Sequence, residues 1–192
     1  MSSEETKEAI MNTALKMFAE KGYAAVSMRD ISGEVGIRAS TIYYYFKSKQ
    51  DIFDALIEMV DKINADLKAG FSKALSLSEK VKCEDFVRVG KLFVTGYLGN
   101  EKIGDVLHML ENERFHDPKA DEAWKKMLFS DPIGNAKEVF ETLHKRKLIK
   151  DKDAARLASE YHGILVLGYF TGDLTAMEGS LRAFYKRVFK QE

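Results

Sequence analysis

Between residues 38 and 49 the chain gathers hydroxyls and cations: Arg38, Ser40, Thr41, Tyr43, Tyr44, Tyr45 and Lys49. Serine, threonine and tyrosine hydroxyls donate and accept hydrogen bonds, while arginine and lysine carry fixed positive charge. Such a set suits phosphate oxygens and the edges of nucleic-acid bases better than bond-making chemistry. Ile42 and Phe46 lie four residues apart on one helical face and can hold the segment in place, leaving Ser40, Thr41, Tyr43 and Tyr45 to reach outward. Three consecutive helical residues cannot all face one way, so the run Tyr43-Tyr44-Tyr45 cannot be wholly core. Ser27, further upstream, can also approach a phosphate.

A second polar group, His108, Glu111, Glu113 and His116, includes a His and a Glu three apart on one helix face. His-x-x-Glu without a second supporting pair is equally well a solvated helix surface, so no metal and no cofactor are expected. The sequence holds no nucleophile triad, phosphate-cradling glycine loop or closed metal motif, and the expected reading is not an enzyme. Thirty Lys+Arg against thirty Asp+Glu leave no bulk field, and the pI of about 6.9 argues against a sequence-blind architectural DNA protein. Any nucleic-acid surface must be local. Cys83 is single, so an intrachain disulfide is excluded and a thiolate zinc site disfavoured, as fits a reducing cytoplasm. The acidic N-terminus lacks the pattern of a secretory signal, and the most apolar run, residues 163–170, is too short to span a bilayer.

The elements that must position these residues follow from periodicity and caps. Ile10, Ala14, Met17 and Phe18 mark a first helix that Gly22 ends in a left-handed conformation. Ser27 with Asp30 forms a capping box for a short second helix carrying Ile31 and Val35, closed by Gly36. The third helix follows almost at once. Two short helices joined through a glycine, the second with exposed hydroxyls and basic flanks, make a helix-turn-helix over residues 27–46. Ser48 and Asp51 repeat the capping pattern before a fourth periodic run, Phe53, Leu56, Val60, Ile63, Leu67 and Phe71. Further helices are expected over about 83–98, 102–115, 121–129, 133–147, 152–171 and 174–190. The fold class is all-α: an N-terminal three-helix domain over residues 1–48 and a larger helical domain over 49–192.

The run SMRDISGEVGIRASTIYYYFKSKQDIFDAL, with LKMFAEKGYAAVSMRDI before it, resembles the tetracycline-repressor (TetR) family of transcriptional regulators over roughly the first 60 residues. The resemblance implies a DNA-binding regulator, a repressor released from operator double-stranded DNA by a small effector; the many large apolar side chains favour a lipophilic or aromatic one, although an ordinary core has the same composition. It implies phosphate contacts at Ser27, Tyr43 and Lys49, and base or phosphate contacts at Ala39, Ser40, Thr41, Tyr44 and Tyr45. Two positions depart from the family pattern: Arg38 stands where a Ser or Thr usually caps the recognition helix, and Tyr45 where a His is common. Arg38, and Arg29 in the second helix, can contact phosphate or remain solvated charges.

For the larger domain the resemblance implies an effector cavity, with Phe93, Tyr97, His108, Met109, Trp124, Met127, Phe140 and Tyr161 as lining candidates, though core packing explains large apolar side chains as readily. The last two helices carry small residues, Ala154, Ala158, Gly163 and Gly168, that permit close approach. With the family's usual pairing of its final helices, Leu157, Tyr161, Leu165, Leu181, Phe184 and Val188 become interface candidates in a homodimer.

Overall fold

The computed structural model describes residues 2–62 and 80–190. Ile63, Leu67 and Phe71 of the fourth periodic run lie outside the described residues. The described chain is helical throughout, apart from loops and one isolated antiparallel bridge between Ile149 and Phe189. Two compact units emerge, residues 2–62 with 101–125 and residues 80–100 with 126–190.

In the first unit, α1 (Ser3–Lys21) opens on a capping box between Ser2 and Glu5. Gly22 ends it at φ 81°, ψ 150°. The sign of φ is as expected for a terminal glycine, but the ψ is extended, a combination open essentially to glycine alone. α2 (Met28–Val35) carries the Ser27–Asp30 box in full, and Gly36 closes it in the left-handed region at φ 76°, ψ 29°. α3 (Ala39–Tyr45) starts at Arg38 with no side-chain cap, as the departure at that position implies. A further helix, α4, runs over residues 49–62 behind a reciprocal pair: Asp51 N donates to Ser48 Oγ at 3.2 Å, and Ser48 Oγ donates to the Asp51 carboxylate at 2.8 Å.

These short helices are held by a shared apolar interior: Ile10, Ala14 and Phe18 from α1, Ile31 from α2, Ile42 from α3, Phe46, and Ile52, Phe53 and Leu56 from α4, all buried. α1 also packs against α6 (Glu101–Glu113), where Asn112 Nδ2 donates to Ala19 O at 3.3 Å. α7 (Pro118–Lys125) completes the unit, with the Arg114 guanidinium 3.6 Å from the Trp124 ring centroid and paired to Asp121 at 3.3 Å.

The second unit is built from α5 (Cys83–Leu92), α8 (Asp131–Lys145), α9 (Ala154–Thr171) and α10 (Leu174–Val188). α5 continues into a π-helical stretch, Phe93–Leu98, and a second such stretch, Lys126–Ser130, leads into α8. Separate helices were expected on either side of Asp131-Pro132. Instead, Ser130 keeps helical angles, φ −64° and ψ −48°, and Pro132 sits in the first turn of α8. Proline has no N–H for the carbonyl four residues earlier, that of Leu128, and the widened π register is where such a gap is tolerated.

The interface expectation is corrected here. Leu157, Tyr161, Phe184 and Val188 pack in one apolar cluster of the second unit, and Leu165 and Leu181 lie in the adjoining one. Five of the six are buried within their own chain and Tyr161 is partly buried, so their periodicity marks an intrachain core. Gly168 serves the same packing: a Cβ there would meet Met177 Cβ at 2.9 Å, so the missing side chain lets α9 and α10 close on each other. What these helices leave outward is a different face, with Gly163, Leu167 and Phe170 on α9 and Ala176, Gly179 and Ala183 on α10.

Candidate nucleic-acid interface

α3 presents the chemistry that its sequence suggests. Ile42 and Phe46 are buried, whereas Arg38, Ala39, Ser40, Tyr43 and Tyr44 are exposed, the last two by 50% and 79%. Tyr43 and Tyr44 are thus among the few large apolar side chains left open among the described residues, with Leu92, Phe115, Leu167 and Phe170. Thr41 and Tyr45 are half-buried. Tyr45 donates its hydroxyl hydrogen to Ser3 Oγ at 3.2 Å, and its ring meets Tyr44 edge-on at 5.1 Å, so it braces Tyr44 against α1. Arg29 on α2 is likewise exposed.

Two of the expected contact residues are already engaged. Ser27 Oγ donates to the Asp30 carboxylate at 2.6 Å and accepts from Asp30 N at 3.2 Å. The bond from Ser27 Oγ, with a second donated by Ser27 N at 2.8 Å, holds the Asp30 carboxyl below the usual range. Lys49 turns inward: Nζ donates to Val26 O at 2.7 Å and to Tyr23 O, and it lies 4.1 Å from the Tyr23 ring centroid. Burial pushes its pKa down. Lys49 thereby pins the α1–α2 connection to the start of α4.

Tyr23, which the sequence did not single out, is the hub of that connection. Its ring packs edge-on against Phe18 and Phe53, each at 5.2 Å, and its hydroxyl donates to Gln50 Oε1 at 2.9 Å. Burial, followed by the charges of Asp54, Glu113 and Asp117, raises its pKa. The one local signal was its place after a helix-ending glycine.

The effector candidates divide between the units. His108 is exposed on α6 and does not line an interior, which corrects its placement among pocket residues; Met109 and Trp124 are buried in the first unit. Phe93, Tyr97, Met127, Phe140 and Tyr161 belong to the second unit. Phe93 and Tyr97 lie 5.4 Å apart, and Phe93 meets the His162 ring edge-on at 5.9 Å, with Phe129 on the same imidazole at 6.3 Å. Among the described residues no group of three or more His, Cys, Asp and Glu could hold a metal.

His162 is the residue that the sequence reading missed in this unit. It is 3% exposed, and its Nε2 lies 2.7 Å from Leu128 O, the carbonyl that Pro132 cannot serve. A carbonyl only accepts, so Nε2 carries the hydrogen and donates. Burial lowers the pKa of His162 from the ordinary 6.5, the bond to Leu128 opposing that shift. The unfolded chain therefore binds more protons at this ring as the pH falls, and the stability of the neutral buried form, present above pH 6.5, is lost as pH falls through the folded pKa. The thermal midpoint is expected to decline as pH falls below 6.5, and His162→Phe to flatten that decline while costing about 1–3 kcal/mol through the unpaired Leu128 carbonyl. An unaltered pH slope in that variant would refute the assignment.

Residues 10–56 match the family model for bacterial regulatory proteins of the tetR family. A curated relative, the HTH-type transcriptional regulator AcrR of Shigella flexneri, is 29% identical over 66 residues, which is 34% of this chain and 31% of the relative. The chain thus aligns with about a third of that relative's length. Among solved structures, a TetR-family transcriptional regulator from Mesorhizobium loti superposes with a TM-score of 0.76 at 20% identity, covering 99% of this chain and 100% of the other. The SmeT–triclosan complex superposes at 0.72 and 15% identity, covering 97% and 93%. At these identities the superpositions establish the all-helical fold, and the family model adds that residues 10–56 carry the N-terminal region of bacterial regulatory proteins of the tetR family.

Proposed function

We propose that the protein is a homodimeric transcriptional repressor of the cytoplasm that binds operator DNA through α3 and is released by a small lipophilic molecule. The observation that carries this reading is the outward set on α3, with Tyr43 and Tyr44 exposed over a buried Ile42. Helix-turn-helix proteins lay their second helix in the major groove, where side chains near its start reach base edges. Arg38, Ala39, Ser40, Thr41 and Tyr44 are assigned to bases and adjoining phosphates. Tyr43 is assigned to a phosphate, and Tyr45 to holding Tyr44 in place. Ser27 would have to redirect its hydroxyl from Asp30 to reach a phosphate. Residues 1–48 are taken as the DNA-binding domain and 49–192 as the regulatory domain.

A dimer reading a two-fold operator needs half-sites about one helical turn, 34–36 Å, apart. The outward face of α9 and α10 is the proposed interface, because Leu167 and Phe170 are 65% and 58% exposed beside small residues that admit a second helix pair. The proposed effector site lies in the second unit, around Phe93, Tyr97, Met127, Phe140 and Tyr161, to which Phe129 and His162 are added. The triclosan bound by SmeT supports a lipophilic ligand for a regulator of this fold. An effector that prefers the DNA-incompetent state by about 1–3 kcal/mol weakens operator binding roughly 5–150-fold.

Footprinting on the DNA upstream of the protein's own coding region tests this reading. Protection of two inverted half-sites supports it, and protection without sequence preference contradicts it. Lys49→Ala is expected to lower the thermal midpoint while leaving the slope of log affinity against log salt unchanged. A lost phosphate contact would instead reduce that slope by about 0.9.

A further inference from the structure

α8 ends in a basic turn that the proposed function does not use. Leu148 N donates to Leu143 O at 3.0 Å and Lys147 N to His144 O at 2.9 Å, the paired bonds of a helix-ending turn whose left-handed residue is usually glycine. Here that residue is Lys147, at φ 60°, the one non-glycine with positive φ among the described residues. A lysine in that conformation is disfavoured by contact of its Cβ with the backbone. The turn is nevertheless fixed: Ile149 pairs with Phe189, and Lys190 N donates to Leu148 O at 3.1 Å.

The result is a concavity of about 450 Å³ lined by His144, Lys145, Lys147, Ile149, Lys150 and Lys190. Ile149, 1% exposed, supplies an apolar floor, and among the described residues no carboxylate lines the wall. None of the four lysines makes an ion pair with any described residue. The α8 terminus attracts His144 and Lys145 through the negative end of its dipole, but Lys150 and Lys190 lie on other segments and the dipole does not account for the conformation of Lys147. In a chain of formal net charge +0, four ammonium groups facing one hollow with no acid beside them among the described residues repel one another until an anion enters.

We propose that this concavity binds a small phosphate-bearing anion of several charges. Its volume lies within the range of small-molecule sites, about 300–1,000 Å³, and lysines act on phosphate as point charges from separate directions. The DNA-reading surface of α3 takes no part, so the site stands or falls independently of operator binding.

Calorimetric titration of the full-length protein with inorganic triphosphate at low salt tests the assignment. Saturable binding is expected, weakened at least about tenfold by combined Lys147→Gly and Lys150→Gln and lost at high salt. Lys119→Gln, an exposed lysine on α7, is expected to leave it unchanged. Glycine adopts the positive φ of Lys147 without strain, so the double variant is expected to keep the fold, with circular dichroism and its thermal midpoint as the folding control. Absence of saturation at millimolar triphosphate, equal binding by the double variant, or equal loss in Lys119→Gln would overturn the site. So would a result in which the two substitutions weaken non-operator duplex or anionic phosphatidylserine vesicles but not triphosphate, which would assign the lysines to a macromolecular surface.

Discussion

A chain carrying Leu167→Glu and Phe170→Glu is expected to sediment as a monomer and to lose operator binding. Burying one such side chain stabilises an interface by about 1.5–3 kcal/mol. Two-fold symmetry uses each residue twice, and a glutamate forced into the same contact adds the cost of desolvating a carboxylate. The dimer dissociation constant should therefore rise at least about a thousandfold. Because both residues are exposed within the chain, the monomer itself should keep its helical content and thermal midpoint. A double variant that remains dimeric would remove this face from the account; Leu181→Ala, by contrast, is a substitution in the intrachain core and serves as the control for stability.

Ile42→Asp is expected to unfold the DNA-reading helices. Ile42 is 0% exposed and is the one buried residue of α3, so the helix has no other anchor within its own span. Substitution removes the transfer energy of the side chain and leaves a carboxylate at a fully buried position, for a combined loss above about 4 kcal/mol. Thermal unfolding followed by circular dichroism should show an early transition for this variant, and DNA binding should disappear. A protein with the wild-type midpoint would mean that α3 is not held by this contact.

The DNA-reading end was legible because its determinants are local. Ser27 with Asp30, Ser48 with Asp51, Gly36 and the Ile42–Phe46 spacing each act within a few residues, and each stands in the structure as the sequence suggested. What periodicity could not say was which surface each apolar stripe meets. Leu157, Leu165 and Leu181 repeat as an interface would, yet they pack within the chain, and the outward pair Leu167 and Phe170 was hidden in the same apolar run. Lys49 shows the same limit for a charge: its position suggested phosphate, but carbonyls 23 and 26 residues earlier take its hydrogens. His162 was illegible for a related reason. Its partner, Leu128 O, lies 34 residues away, in the widened stretch before Pro132, whose missing N–H leaves that carbonyl open.

The central claim is that α3 reads a specific operator, and titration at fixed salt of upstream DNA against unrelated duplex, with Tyr43→Ala and Arg38→Ala beside the unsubstituted protein, tests it most directly. The account predicts affinity for the operator at least about a thousandfold above that for unrelated DNA, reduced by about 1–3 kcal/mol in Tyr43→Ala. Equal affinity for both duplexes, or operator binding indifferent to both substitutions, would contradict it.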